Sequence, residues 1–266
     1  MSGSGPYRAL RLDVADGLAH ITLDRPDAAN ALDRTMASEL RDVAVQLYHR
    51  SDVRAVLLSA TGKVFCGGGD LGSFAQQGDD LPAYIDHVTI DFHAAMSRFA
   101  KMDAPLVAAV SGSAGGAGMS LVAACDLVVA GESAKFTMGY TRAGMVPDGT
   151  SSFYLSRVVG LRRAMDLVLT NRVLGAAEAE AWGLVNRVVP DADVLTAATV
   201  LATQLAAGPT RSLGLAKRVV YEGASSGLEA AYERESLAIA EASGTADGRE
   251  GIAAFLGKRP PVFGGR

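Results

Sequence analysis

Residues 105–126 read PLVAAVSGSAGGAGMSLVAACD, and this stretch decides the fold class. The apolar run over 105–110 predicts a buried strand, residues 111–118 form a glycine-rich turn, and the small residues over 119–125 predict a short helix. Free N–H groups at the start of such a helix can bind an anion. A strand that turns through glycines into a helix is typical of an α/β protein whose active-site loops lie at strand ends.

Two other interpretations of this turn stay open. Small residues are also needed wherever a strand and a helix pack through a tight turn. A dinucleotide-binding loop is the second possibility, because Gly112, Gly115, Gly116 and Gly118 nearly match its glycine pattern. Roughly a hundred residues of other structure precede the strand, and no acidic ribose partner follows about 20 residues later, which disfavours that loop.

A second glycine-rich segment reads KVFCGGGDLG over residues 63–72. It follows a predicted strand over 54–60, and its three successive glycines allow the backbone to approach a ligand closely. Asp70 can cap the structure that follows. A tight turn without function explains the glycines equally well. No Gly-Lys-Ser/Thr follows, which argues against a nucleotide phosphate-binding loop.

Periodicity and turn signals predict the remaining elements. Strands over 7–14 and 19–23 flank an Asp16-Gly17 turn, Asp33 can cap a helix over 32–48, a helix runs over 82–99, and a strand follows over 127–130. After residue 189 the sequence predicts only helices, over 192–207, 210–221, 227–242 and 247–256. Their apolar faces must pack on the core or on a neighbouring subunit.

The composition limits the classes of protein. A chain of 266 residues with 49% hydrophobic and 20% charged residues can bury a core, as one compact domain with an appendage or two small domains. The net charge of −4 gives no support for a nucleic-acid partner, and no apolar run is long enough to span a membrane. Cys66 and Cys125 form neither a disulfide scaffold nor a metal-binding spacing, which favours a cytoplasmic setting. Residues 1–6 are not typical of a signal peptide.

Several separated motifs together resemble the crotonase (enoyl-CoA hydratase/isomerase) superfamily. They follow the family's order and cover nearly the whole chain: RP at 25–26 with NAL at 30–32, FCGGGDL at 65–71, AAVSGSAGGAG at 108–118, CDLVVA at 125–130, AKF at 134–136 and AEAEAWGLVNRVVP at 177–190. Each motif alone is a weak signal, but chance agreement of all of them is very unlikely.

The resemblance implies an α/β fold, a crotonase-like spiral of ββα units over residues 1–190, with a helical trimerisation region over 191–266. It implies an acyl-CoA thioester as substrate, no cofactor beyond the coenzyme A of that substrate, and a homotrimer or a dimer of trimers. It also implies an oxyanion hole in which the N–H groups of Gly69 and Ala117 hold the thioester oxygen. Preorganised donors of this kind each contribute ~2.7–4 kcal/mol to transition-state stability.

By the same resemblance, further positions are assigned to the substrate. The adenine and pantetheine are expected along residues 26–30 and 69–72, with Arg25, Lys63, Lys258 and Arg259 as candidate phosphate partners or merely solvated surface. The substrate-binding positions are Ala28, Ala29, Asp70, Leu71, Gly72, Gly116, Ser120 and Tyr140. No metal site is expected.

The sequence departs from the family's hydratases at two positions. Ser120 and Tyr140 stand where those enzymes carry the two glutamates that position water. A serine without a neighbouring base, and a phenol that is protonated at neutral pH, do not perform that acid/base chemistry. The two-glutamate mechanism is therefore disfavoured.

One motif-matched carboxylate remains, in the segment GMVPDGT over residues 144–150. Asp148 resembles an aspartate of the isomerase branch that acts on phenylacetyl-type CoA esters, and of the aryl-CoA dehalogenase branch. A helix cap near Thr150 is the alternative role. His87 and His93, on the predicted 82–99 helix, are more often surface or packing residues than catalytic ones.

Four hypotheses follow. The first is an enoyl-CoA isomerase in which Asp148 shuttles a proton while Gly69 and Ala117 hold the enolate oxygen. The second is a hydratase that uses Asp148 alone. The third is an acyl-CoA-binding protein without activity, and the fourth is a dehalogenase.

Overall fold

The computed structural model describes residues 7–266. The expectation for residues 1–6 lies outside this range. Ten strands are present in it: β1 (Leu10–Ala15), β2 (Leu18–Leu23), β3 (Ala55–Ala60), β4 (Val64–Cys66), β5 (Leu106–Val110), β6 (Ser113–Gly115), β7 (Leu127–Gly131), β8 (Lys135–Thr137), β9 (Leu174–Gly175) and β10 (Arg187–Val189).

Eleven α-helices complete the described part of the chain, together with short 3₁₀ turns. They are α1 (Arg34–Tyr48), α2 (Leu71–Ala75), α3 (Leu81–Lys101), α4 (Ala117–Ala123), α5 (Ser151–Val159), α6 (Leu161–Thr170), α7 (Ala176–Ala181), α8 (Val194–Ala206), α9 (Thr210–Gly223), α10 (Leu228–Gly244) and α11 (Ala246–Leu256). None of the helices in residues 7–266 has the length and apolar character needed to cross a membrane.

The strands form two sheets, and in each sheet the strands are added in the order of the sequence. The larger has the order β1-β2-β3-β5-β7-β10, antiparallel at the β1–β2 hairpin and parallel elsewhere. The smaller has the order β4-β6-β8-β9, in which β4, β6 and β8 are parallel. Each β-β-helix unit therefore adds one strand to each sheet, which confirms the predicted spiral.

Helices cover both faces of the larger sheet. On one face, α1 and α3 bury aliphatic and aromatic side chains such as Leu40, Val43 and Phe92 in the main core. On the other face, α8 packs Ala198 and its neighbours against Leu57 of β3 and the strands beside it. Helix α8 therefore shares a core with the larger sheet, and the C-terminal region packs on the spiral through it. The division of the chain into a spiral over 1–190 and a helical region over 191–266 stays a prediction.

A buried ion pair attaches α9 to the spiral. The Asp126 carboxylate lies 2.9 Å from Lys217 Nζ and accepts hydrogen bonds from Tyr221 Oη (2.9 Å) and Leu106 N (2.8 Å). Both charged side chains are almost fully buried. Such a pair is strongly destabilising when only one partner is removed, so it fixes where α9 docks.

The predicted elements agree with the structure within a few residues. The Asp16-Gly17 turn has positive φ angles of 51° and 79°, and Asp33 Oδ1 accepts from Met36 N, as expected of a helix cap. Five short strands were not predicted: β4, β6, β8, β9 and β10. β4 and β6 lie inside the segments expected to be glycine-rich loops, and β8 follows β7 within four residues.

Candidate active site

A cavity of about 460 Å³ lies between the two glycine-rich segments, helix α3 and the chain that follows β8. Its walls are mainly apolar. The lining side chains that are apolar or aromatic are Leu32, Leu71, Phe74, Ile85, Val88, Phe92, Ala117, Tyr140, Ala143, Met145 and Val146. Cavities of this size and character bind small molecules with large apolar parts.

The two glycine-rich segments touch each other at one side of the cavity. Gly68 has a φ of +104°, and a Cβ added there would lie 2.9 Å from Gly115 O and 3.4 Å from Ala117 N. Gly116 has a φ of 49° and a ψ of −122° at the start of α4. A side chain at Gly68 would force the segments apart, whereas Gly116 needs glycine because L-residues rarely adopt its backbone conformation.

Two residues that line this cavity have backbone N–H groups without a hydrogen-bond acceptor in the described part of the chain. Within residues 7–266, neither Gly69 N nor Ala117 N donates a backbone hydrogen bond, and both residues line the cavity. Ala117 is the first residue of α4, where an N–H has no partner in the helix. Donors fixed in this way can hold an oxygen that gains negative charge.

Three polar side chains form a hydrogen-bonded chain at the edge of the cavity. Tyr140 Oη donates to Asp148 Oδ1 over 2.5 Å, and Ser120 Oγ lies 3.0 Å from Tyr140 Oη. Because a carboxylate only accepts, the Tyr140 proton is donated to Asp148, and the contact between the two hydroxyls uses the Ser120 proton, for which Gly116 O at 3.3 Å is a second acceptor. Ser120 is fully buried and lies outside the cavity lining, whereas Asp148 and Tyr140 line it.

Burial and the charge of Asp148 together keep the phenol of Tyr140 protonated. Burial raises the pKa of Tyr140 well above its usual value, and the neighbouring Asp148 carboxylate raises that pKa further. A phenol held in this state donates a hydrogen bond and does not act as a base near neutral pH. Of the two residues predicted to contact substrate, Tyr140 lines the cavity beside Asp148, and Ser120 lies outside the lining on the far side of the Tyr140 hydroxyl.

The Asp148 side chain does not cap helix α5. Helix α5 begins at Ser151, and the Ser151 N–H donates to the backbone oxygen of Asp148, over 3.1 Å, rather than to its carboxylate. The carboxylate instead points to Tyr140 and the cavity. The capping alternative for this side chain is wrong.

Sequence reasoning gave His93 little weight, but the structure places it beside Asp148. His93 Nε2 accepts a hydrogen bond from Gly149 N over 3.0 Å. The sequence around His93 predicts only a regular helix and does not indicate this contact. The contact depends on a turn more than fifty residues away in sequence. His87, on the same helix, is exposed and does not line the cavity.

The remaining predicted substrate positions divide into two groups. Leu71 and Gly116 line the cavity. Ala28, Ala29 and Gly72 lie outside its lining, although the Gly67 N–H donates to Ala29 O at the cavity's edge, over 2.9 Å. The Asp70 side chain caps α2 at Ser73 N, as predicted, and pairs with Arg25.

Two candidate phosphate partners are engaged within the protein. Arg25 lies 3.1 Å from both Asp33 and Asp70, and Arg259 forms an ion pair with Glu250 at 2.6 Å. These pairs occupy the guanidinium groups, so a phosphate would have to compete with a carboxylate. Lys63 and Lys258 have exposed side chains.

Cys66 is a structural residue behind the first glycine-rich segment. Its side chain is fully buried, and burial raises the pKa of the thiol to about 12. The thiolate is the reactive form, so Cys66 is not a nucleophile at neutral pH. Within residues 7–266, no cluster of three histidine, cysteine or acidic side chains forms a metal site.

Known proteins resemble this chain over nearly its whole length. The family model described as enoyl-CoA hydratase/isomerase matches residues 13–266. A "Probable enoyl-CoA hydratase" of Rhodobacter capsulatus is 38% identical over 98% of this chain and 99% of that protein. The 1,2-epoxyphenylacetyl-CoA isomerase of Escherichia coli is 34% identical over 95% of this chain and 97% of that protein.

A solved structure has the same fold. The enoyl-CoA hydratase from Polaromonas sp. JS666 superposes with a TM-score of 0.91 at 31% sequence identity. The match covers 96% of this chain and 100% of that chain.

Proposed function

The chain belongs to the enoyl-CoA hydratase/isomerase family, and from that premise we propose that it moves the double bond of an enoyl-CoA thioester, with Asp148 as the proton shuttle. Hydratases and isomerases of this family share an acyl-CoA substrate, so the acid/base groups must distinguish between the two reactions. The observation that carries the proposal is that Asp148 is the only carboxylate among the described residues lining the cavity.

The first step of the proposed reaction is removal of a proton. For a 3-enoyl thioester, the Asp148 carboxylate takes a proton from C2, and the electron pair of the broken C–H bond delocalises onto the thioester oxygen. The N–H groups of Gly69 and Ala117 stabilise that oxyanion. The substrate becomes a dienolate and Asp148 becomes a carboxylic acid.

The second step returns the same proton. Asp148 donates it to C4, the electrons flow back from the oxyanion, and the double bond settles between C2 and C3, in conjugation with the thioester. No atom is gained or lost. One base serves both steps if C2 and C4 present the same face to it.

The hydrogen bond from Tyr140 supports this role for Asp148. It occupies Oδ1, so Oδ2 is the oxygen left to approach the acyl chain. Ser120 in turn orients Tyr140. With these two hydroxyls at the positions of the hydratase glutamates, two carboxylates are not available to hold a water molecule on opposite sides of the double bond.

The proposal is tested with a 3-enoyl-CoA labelled with deuterium at C2. The expected result is growth of the absorbance of the conjugated thioester, with part of the deuterium recovered at C4 of the product. Conversion with complete loss of the label to water would rule out a shuttle by one shielded carboxylate. No conversion would leave hydration, or binding without reaction, as the function.

Hydration is the second candidate, and the name of the Rhodobacter relative favours it. Asp148 would then activate water alone, and crotonyl-CoA would lose its conjugated absorbance on incubation with the protein. Comparing initial rates on crotonyl-CoA and on a 3-enoyl-CoA at equal concentration decides between the two functions. The isomerase proposal expects the 3-enoyl rate to be the greater.

The finer features of substrate binding are proposals of the same kind. We expect the pantetheine to pass Ala28 and Ala29 and to enter beside Leu71 and Gly72, where the cavity meets the surface near Asp70. The acyl group then lies against Val88, Phe92 and Met145. Titration calorimetry with a non-reactive acyl-CoA thioether tests this arrangement, and absence of heat at millimolar concentration would contradict it.

We also propose that the protein is a homotrimer, or a dimer of two trimers. Helix α10 buries none of its residues, and its apolar side chains Leu237 and Ile239 are exposed. Phe255 of α11 is 84% exposed. Exposed apolar surface of this extent is typical of an interface, and a second and third copy of the chain are the expected cover.

A cytoplasmic location is the last of these proposals. Cys66 and Cys125 are both buried free thiols. Free buried cysteines are usual in proteins of reducing compartments. Fractionation of the producing cells, followed by immunodetection, tests the location.

A further inference from the structure

The turn that carries Asp148 has a strained backbone. Gly149 and Thr150 both have positive φ angles, of 61° and 66°. Thr150 is β-branched, and such residues rarely adopt this conformation. Strained residues persist where the surrounding structure holds them in place, and they are common at active sites.

Packing from two helices leaves little room for this turn to move. Gly149 is buried, and a Cβ added to it would lie 2.9 Å from Ser120 Cβ of α4 and would collide with the Phe92 ring of α3. Packing alone does not satisfy the buried N–H of Gly149. A buried N–H without an acceptor is costly, so the turn needs a hydrogen-bond partner here.

His93 supplies that acceptor. Its Nε2 lies 3.0 Å from Gly149 N. His93 directly follows Phe92 on α3, so two neighbouring residues of this helix contact the turn. A ring nitrogen accepts only when it carries no proton, so the neutral imidazole must hold its proton on Nδ1. The contact joins α3, which forms one wall of the cavity, to the residue directly after Asp148.

We propose that His93 is a positioning residue for the proton shuttle: by accepting the Gly149 N–H, it fixes the strained turn and thereby aims the Asp148 carboxylate at the cavity. The proposal rests on the function proposed above for Asp148. Two hydrogen bonds then fix the position of Asp148. Tyr140 binds its carboxylate, and His93 binds the backbone that follows it.

Three variants separate positioning from other roles. His93→Leu removes the acceptor. His93→Gln keeps one, because an amide oxygen reaches about as far from the backbone as an imidazole Nε2 does. His87→Leu is the matched control, since it makes the same exchange at another exposed position of the same helix, where the side chain has no contact with the Asp148 turn and does not line the cavity.

For isomerisation of a 3-enoyl-CoA, we expect His93→Leu to lower kcat by roughly 10²-fold, which is the effect of a small displacement of a catalytic group. KM and thioester binding should stay unchanged, because His93 does not line the cavity. His93→Gln should recover most of kcat, and His87→Leu should match the wild type. Full kcat in His93→Leu would overturn the proposal. A His93→Gln variant with a kcat as low as that of His93→Leu would also overturn it, because a hydrogen-bond acceptor at this position would then not be enough to position Asp148.

A second measurement does not depend on turnover. Hydrogen–deuterium exchange of the ligand-free protein should be faster over peptides spanning residues 148–150 in His93→Leu than in the wild type, in His93→Gln and in His87→Leu. Unchanged exchange would contradict the proposal that His93 fixes the turn, even if no 3-enoyl-CoA were a substrate. If exchange were faster in His93→Leu but the wild type had no isomerase activity, the role of His93 in fixing the turn would stand. The function proposed for Asp148 would then be rejected.

Discussion

Replacing Asp148 by asparagine removes the proposed base with almost no change of shape. Asparagine has the same length, and its Oδ1 can still accept the hydrogen bond that Tyr140 Oη donates to Asp148 Oδ1. The Gly149 N–H still donates to His93, and Ser151 still binds the backbone oxygen of residue 148. The turn should therefore keep its conformation.

The expected loss of turnover is large, and the expected loss of stability is small. A positioned acid/base group contributes roughly 10²–10⁴-fold to the rate, which corresponds to about 3–5 kcal/mol of activation free energy. The hydrogen bond from Tyr140 changes from charge-assisted to neutral, so the free energy of unfolding should fall by about 1 kcal/mol. The two magnitudes differ enough to be separated.

The assay combines three measurements on the wild type, Asp148→Asn and Asp86→Asn. Asp86 is an exposed carboxylate of α3 outside the cavity lining, so it is the matched control. Initial rates on a 3-enoyl-CoA give kcat, calorimetry with an acyl-CoA thioether gives Kd, and urea titration gives the free energy of unfolding. We expect only kcat to change strongly, and only in Asp148→Asn.

Full activity of Asp148→Asn would refute the reasoning, because no amide can accept and return the proton. The shuttle would then have to be another group. A weakened Kd together with lower kcat would point to substrate contact by Asp148 rather than proton transfer.

The other predictions concern groups around the cavity and at the surface. Tyr140→Phe removes the donor to Asp148, and the free energy of unfolding should fall by about 1.5–3 kcal/mol in urea titration, with Val146→Ala as a control near wild type. Gly116→Ala should abolish turnover and destabilise the fold by roughly 1–3 kcal/mol, because an alanine must adopt a φ of 49°; normal kcat would contradict this. Burial raises the pKa of Cys66 from 9.0 to about 12, so the unfolded chain loses its thiol proton first as pH rises. Stability should decline between pH 9 and about 12, and this decline should be smaller in Cys66→Ala, as calorimetric melting would show. Phe255→Asp should lower the mass found by light scattering to that of smaller assemblies, whereas an unchanged mass would place the interface elsewhere.

The fold was predictable where local patterns carry the information. Alternating apolar residues, the Asp16-Gly17 turn and the Asp33 cap depend on neighbours in sequence, and they lie where they were expected. The strands β4, β6, β8, β9 and β10 were missed because each has only two or three residues. Their pairing comes from the contact of successive turns of the spiral, which no local pattern records.

The site was predictable only as far as motifs mark it. The motifs indicated Gly69, Ala117 and Asp148, and the structure brings all three to one cavity. They could not indicate that Tyr140 donates a hydrogen bond to Asp148 and contacts Ser120 on its other side, because that depends on side-chain direction. His93 was given little weight, because its partner is a backbone N–H in a strained turn far away in sequence.

The covering of the larger sheet by α8 has a consequence for synthesis of the chain. The strands β3, β5 and β7, whose face it covers, are complete at Gly131, but α8 begins only at Val194. At typical translation rates, roughly 3–13 s pass between the appearance of these two residues at the ribosome. During that interval the apolar side chains of Leu57 and Val107 have no native cover, so chaperones that bind nascent chains should engage the growing protein until α8 emerges.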